Sequence, residues 1–152
     1  MKRTTVVMAA LFSLALPMAS FAAHDHGAMH GDMAEMGSPA HEEVIDGVKA
    51  TFKVLNMKEH LKGQALPKGM TETHHIMVEF KEAKTGKSLT EGEVKMKVLG
   101  PDKGEQTKEL MGMQGHFGAD FNLSQKGKYG VMCKILLKDG KVRSSKFWYT
   151  VK

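Results

Sequence analysis

Cysteine is nearly missing from this sequence: Cys133 is the single one among 152 residues. One thiol cannot form an internal disulfide. Without a Cys-x-x-Cys pair, thioredoxin-type redox chemistry and c-type haem attachment also have nothing to build on. Cys133 lies in Tyr129-Gly130-Val131-Met132-Cys133-Lys134-Ile135. Alternation puts it on the face of Tyr129, Val131 and Ile135, so it reads as a small buried hydrophobe in a strand. Closed cysteine and histidine sets for structural zinc are absent, as is a carboxylate cluster for calcium. There is no nucleophile elbow or zinc-protease helix, and the carboxylates show no catalytic pairing, so the expectation is a protein that is not an enzyme. Beyond the first residues, no apolar run is long enough to make a membrane helix. The formal charge is +5, and removing Lys2 and Arg3 with the leader leaves +3. The remaining lysines mostly alternate with apolar residues. That is the pattern of a solvated sheet face, not of a nucleic-acid track.

The first residues do have a pattern. Lys2 and Arg3 precede the apolar stretch Val6 to Leu16, Pro17 ends it, and small residues at Ser20 and Ala22 fit a signal-peptidase site. Residues 1–22 therefore read as a signal peptide. The mature chain is expected outside the cytoplasm, in the periplasm if the source is Gram-negative. Residues 23–43 follow as a His/Met-rich segment without large aliphatic residues over most of its length, and it is expected to be disordered. By composition it is a candidate metal-binding tract, with His24, His26 and His30 as secondary ligands, and it suits a solvating linker equally well. Cleavage after Ala23 would place His26 third in the chain, a position suited to square-planar Cu(II).

From residue 44 to 152 the sequence predicts one domain. Val48, Ala50, Phe52 and Val54 alternate with lysine and threonine as a half-buried strand. Asn56 reads as the cap of a short helical turn over 57–62 that ends at Gly63. Further strands are predicted over 73–81, 94–98, 105–110, 117–123 and 129–137, with a last one carrying Phe147, Tyr149 and Val151. Asp139-Gly140 predicts a two-residue hairpin turn. Seven short strands with regular turns predict an all-β fold, a single antiparallel seven-stranded immunoglobulin-like sandwich. Gly127-Lys128-Tyr129 resembles the tyrosine corner of such folds.

Met111-Gly112-Met113-Gln114-Gly115-His116 stands directly before a strand, and His74-His75 heads another. Thioether sulfur is a soft donor that favours Cu(I), and imidazole accepts copper in either oxidation state. By parity, His75, Met77 and Glu79 form one row and His116, Gly118 and Asp120 another, both opposite the apolar face. These rows are expected to look outward or toward a sheet edge, over a shallow site. His74 shares the parity of Ile76. Met70, in a loop near His74, is a secondary candidate; Met77 is intermediate, Met57 and His60 read as cover for the core edge, and Met96 and Met132 as packing or surface. The competing reading of the loop is a methionine patch for protein contact.

Thr73-His74-His75-Ile76-Met77-Val78-Glu79-Phe80, the turn Ala83-Lys84-Thr85-Gly86-Lys87, Met111 to Asp120 and Gly127-Lys128-Tyr129 resemble the YtkA-like domain family over roughly 45–152. That family comprises small exported immunoglobulin-like sandwiches associated with copper handling. The segment around His116 is also distantly similar to the Met and His site of periplasmic copper-binding proteins of ferrous-iron uptake, although this chain has no histidine in its last two strands. The resemblance implies Met113 and His116 as leading ligands, followed by His75 and Met111. Together these readings predict an exported, non-enzymatic copper-binding protein of metallochaperone or metal-sequestering type. It would hold Cu(I) through Met113, Met111 and His116, with His75 or His74 completing the set, and pass the ion to an envelope partner. The alternative is an immunoglobulin-like interaction module of an envelope complex without a metal role.

Overall fold

The computed structural model describes residues 38–61 and 64–152. The leader, residues 23–37 with His24, His26 and His30, and Gly63 lie outside the described residues. Eight strands form: β1 (His41–Ile45), β2 (Val48–Asn56), β3 (His74–Glu82), β4 (Gly92–Leu99), β5 (Glu105–Met113), β6 (His116–Phe121), β7 (Gly127–Leu137) and β8 (Val142–Val151), with one short helix, α1 (Met57–His60). All neighbours are antiparallel, in the order β1-β2-β3-β6-β5-β4-β7-β8. β5 joins the two halves of this sandwich. Its residues Glu105 to Leu110 pair with β4, and Met111 to Met113 pair with β6.

The expected count was seven, and β1 is the eighth strand. It takes in His41 to Glu43, which composition groups with the tail. Its polar and half-buried residues give no strong alternation, and it is held by what it meets. His41 stacks on Phe147 with ring centroids 5.0 Å apart, Ser145 Oγ donates to Glu43, and Arg143 Nε donates to the carbonyl of Ile45 at 3.1 Å. These side-chain contacts join β1 to β8, the two ends of the strand order, and leave a nearly closed barrel with little exposed edge.

Alternation builds the interior. Phe52, Ile76, Val78, Phe80, Met96, Val98, Phe121, Val131 and Ile135 are all buried between the two sheets. Cys133 joins them at 3% exposure, and burial pushes its thiol up to about 12, which leaves it without thiolate character at neutral pH. The Tyr129 hydroxyl donates to Gln125 O at 2.9 Å and accepts from Gln125 N at 3.1 Å, a tyrosine-corner arrangement at the head of β7. One turn differs from expectation. The last pair of the β7–β8 ladder is Leu136 with Val142, so the connection runs from Leu137 to Lys141 and not across two residues. Gly140 takes its left-handed position at φ 77°.

Candidate functional site

The β5–β6 hairpin carries the leading candidates. Met113 and His116 are cross-strand partners on either side of a two-residue turn. That turn has positive φ at both positions, 41° at Gln114 and 87° at Gly115, the mirror-image turn whose twist suits a tight hairpin. The Met-Gly-Met-Gln-Gly-His spacing thus sets a thioether and an imidazole side by side on one face. Antiparallel pairing of β3 with β6 then puts His75 opposite Asp120 and Met77 opposite Gly118.

Gly118 has a specific steric role. A Cβ there would lie 2.6 Å from His75 Nε2 and 3.4 Å from the Ile76 carbonyl oxygen, so only glycine lets the imidazole lie across β6. At the other end of the ring, His75 Nδ1 and Asp120 Oδ1 are 2.6 Å apart. A carboxylate only accepts, so Nδ1 is the donor of this bond, and the ring is held with Nε2 over Gly118. This is how outer-shell carboxylates orient metal-binding histidines. Lys108 Nζ fixes the same stretch of β6 by donating to the Asp120 carbonyl at 2.6 Å and to Glu72 at 3.2 Å.

The outward row is not shallow. The β2–β3 connection folds over it and is closed at its base, where Met57 N donates to Thr73 O at 3.0 Å and Thr73 N to Phe121 O at 3.0 Å. The Asn56 side chain caps α1 by accepting from Lys58 N and Glu59 N. This roof and the sheet enclose a cavity of about 280 Å³, lined by Met57, His60, Met70, His75, Met77, Met113, His116 and Asp120, with Leu55, Leu61, Leu66 and Pro67. Burial follows: Met77 is 1% and His116 5% exposed. The volume lies just below the usual range of small-molecule pockets. A larger depression of about 610 Å³ at the far end of the strands, where Lys138 pairs with Glu91 and Arg143 with Asp139, has no histidine or methionine in its lining, so the smaller cavity is the one with soft donors to offer.

The structure therefore brings Met113, His116, His75 and Met70 together, and adds Met57, His60 and Met77. It does not bring Met111 or His74 to them. Met111 is 72% exposed and does not line the cavity. His74 points the opposite way, as its parity with Ile76 requires. Its Nδ1 lies 2.7 Å from Thr73 Oγ1, its ring meets Tyr149 edge-on at 6.3 Å, and burial lowers its pKa. The roof was the part missed at the level of sequence. The hints were Met57 and His60, which read as cover for the core edge, and a connection rich in Leu61, Leu66, Pro67 and Met70, apolar residues without a period to assign them a face.

Chemically, the cavity offers two imidazoles on the sheet, one on α1, and four thioethers. Among the described residues no three of His, Cys, Asp or Glu converge on a common point, so any metal held here takes sulfur donors as well. That composition suits a soft monovalent ion and neither zinc nor calcium.

No family model matches the sequence, and no curated protein matches it. Among solved structures, the fold is similar to a copper-bound variant of FetP from uropathogenic Escherichia coli, with TM-score 0.59, 13% identity, and coverage of 74% of this chain and 95% of that one. It is similar to the copper-reconstituted P19 protein of Campylobacter jejuni, with TM-score 0.58, 12% identity, and 74% and 93% covered. It is also similar to a DUF4426 family protein of Pseudomonas aeruginosa, with TM-score 0.56, 15% identity, and 73% and 96% covered. At these identities the likeness establishes the fold.

Proposed function

We propose that this chain is an exported copper-binding protein that holds Cu(I) in the roofed cavity, with Met113, His116 and His75 as principal ligands and Met77 or Met70 completing the set. The observation that carries this reading is one cavity of about 280 Å³ lined by four thioethers and three imidazoles. Thioethers and imidazoles stabilise Cu(I) without adding negative charge, and Leu61, Leu66 and Pro67 of the roof lower the polarity around them. Two similar folds were solved with copper, which agrees with this assignment. The YtkA-like resemblance points the same way. On this reading the ion is cargo, and its role is delivery to an envelope partner or sequestration. Residues 23–37, with His24, His26 and His30, would capture metal beside the domain, as Cu(II) or Cu(I), and raise its effective concentration there.

The test is a Cu(I) titration against a chromogenic competitor, using the chain from residue 23 and a version from residue 38. Tight one-to-one binding by both supports the cavity. Binding that vanishes with the tail makes the tail the metal element. Absence of competition by either version leaves the methionine-lined cavity as a protein-contact site, the interaction-module reading.

A further inference from the structure

The opposite outer face of the sandwich carries an unrelated feature. Outward positions of β4, β7 and β8 place Lys95 directly opposite Lys134 and Lys97 opposite Met132, which in turn faces Lys146. Like charges directly opposed on a sheet are destabilising. Lys95 and Lys97 are relieved by Glu109 and Glu105 of β5, at 3.8 and 3.5 Å. No carboxylate pairs with Lys128, Lys134 or Lys146 among the described residues, so the β7–β8 half is uniformly cationic.

In the middle of that half lies Trp148, 52% exposed. A Cβ on its cross-strand partner Gly130 would fall 3.1 Å from the indole, so the ring rests against the bare β7 backbone. Lys128 and Lys146 hold their ammonium groups 4.8 and 5.4 Å from its centroid. Nothing in folding requires a large aromatic on a solvent face ringed by unneutralised lysines. The combination suits a surface that is both anionic and interfacial, where an indole sits at headgroup depth while ammonium groups meet phosphates.

We propose that the β7–β8 face, through Trp148, Lys128, Lys134 and Lys146, docks the protein on an anionic phospholipid surface. Lysines spread around one amphipathic ring match a field of phosphate headgroups, and the open depression beside the ring, lined by Lys95, Lys97, Lys134 and Lys146, offers them further ammonium groups. This face lies on the sheet opposite the roofed cavity, so docking leaves the cavity directed away from the bilayer. The proposal does not depend on what the cavity binds.

Trp148 is the sole tryptophan, so its fluorescence reports this face alone. The chain from residue 23 would be mixed with vesicles of phosphatidylcholine, or of phosphatidylcholine and phosphatidylglycerol in equal parts, and followed by emission and co-sedimentation. The expected result is a blue shift and co-sedimentation with the phosphatidylglycerol vesicles only, weakened by salt. Lys134→Glu with Lys146→Glu should lower that partition by at least about thirtyfold. The first change places a carboxylate opposite Lys95, so the double variant should melt at an equal or higher temperature, which separates lost docking from lost folding. Equal binding to both vesicles, no binding to either, or binding indifferent to the double change would overturn the proposal. Capture by soluble polyglutamate with no vesicle binding would also overturn it, in favour of an acidic polypeptide.

Discussion

The two outer faces of this sandwich are built by the same rule and end in opposite states. On both, period-2 strands turn every second residue away from the core. On the β3–β6 face those residues are His75, Met77 and His116, and the β2–β3 connection covers them. On the β4–β7–β8 face they are Lys95, Lys134, Lys146 and Trp148, and nothing among the described residues covers them. Strand parity therefore does not by itself make a binding site. A covering segment turns an outward row into a cavity, and it does so only where the row is apolar or soft enough to be covered. Met77, at 1% exposure in an outward position, marks that difference.

The covered face is most sensitive at its ligands. His116→Gln combined with Met113→Leu should reduce Cu(I) affinity by more than a hundredfold in competition titrations, since it removes donors and not merely their support. The melting temperature should move far less. Gly118→Ala is next. Its methyl would meet His75 Nε2 at 2.6 Å and swing the ring away, lowering affinity by roughly tenfold to a hundredfold with the strand intact by circular dichroism. Asp120→Asn keeps the shape but loses the carboxylate that accepts from His75 Nδ1, and a loss of about tenfold is expected from the same titration. Met111→Leu should change affinity by no more than about twofold, because that side chain stands outside the cavity.

The smallest effect concerns His74, which separates the two neighbouring histidines. Burial depresses its pKa, so the folded state takes up its proton less readily than the unfolded chain does. Its contribution to stability is whole above the ordinary histidine value of about 6.5 and is lost as pH falls through the depressed value. Denaturant melts across this range should show a decline that His74→Leu flattens.

Much of this was legible in the residues. Alternation located seven strands, Asn56 announced the cap of α1, and Gly127-Lys128-Tyr129 announced the corner at Tyr129. Parity alone placed His74 with Ile76 and His75 with Met77, whereas 111–116 read as a glycine-rich loop and instead pairs as the ends of β5 and β6 around the two-residue turn Gln114-Gly115. Two parts were not legible. β1 has few large apolar residues and is fastened by Arg143, Ser145 and Phe147, about a hundred residues away in the chain. The roof has no period, because a loop that covers a sheet meets it through irregular contacts. Sequence could identify Met57, His60 and Met70 as soft or basic residues without showing which face they would close.

X-ray absorption at the copper edge, on the Cu(I)-loaded chain from residue 38, would test the cavity assignment most directly. Mixed sulfur and imidazole nitrogen scatterers are expected, with the sulfur contribution diminished by Met113→Leu. A first shell of nitrogen and oxygen alone, unchanged by that substitution, would contradict it.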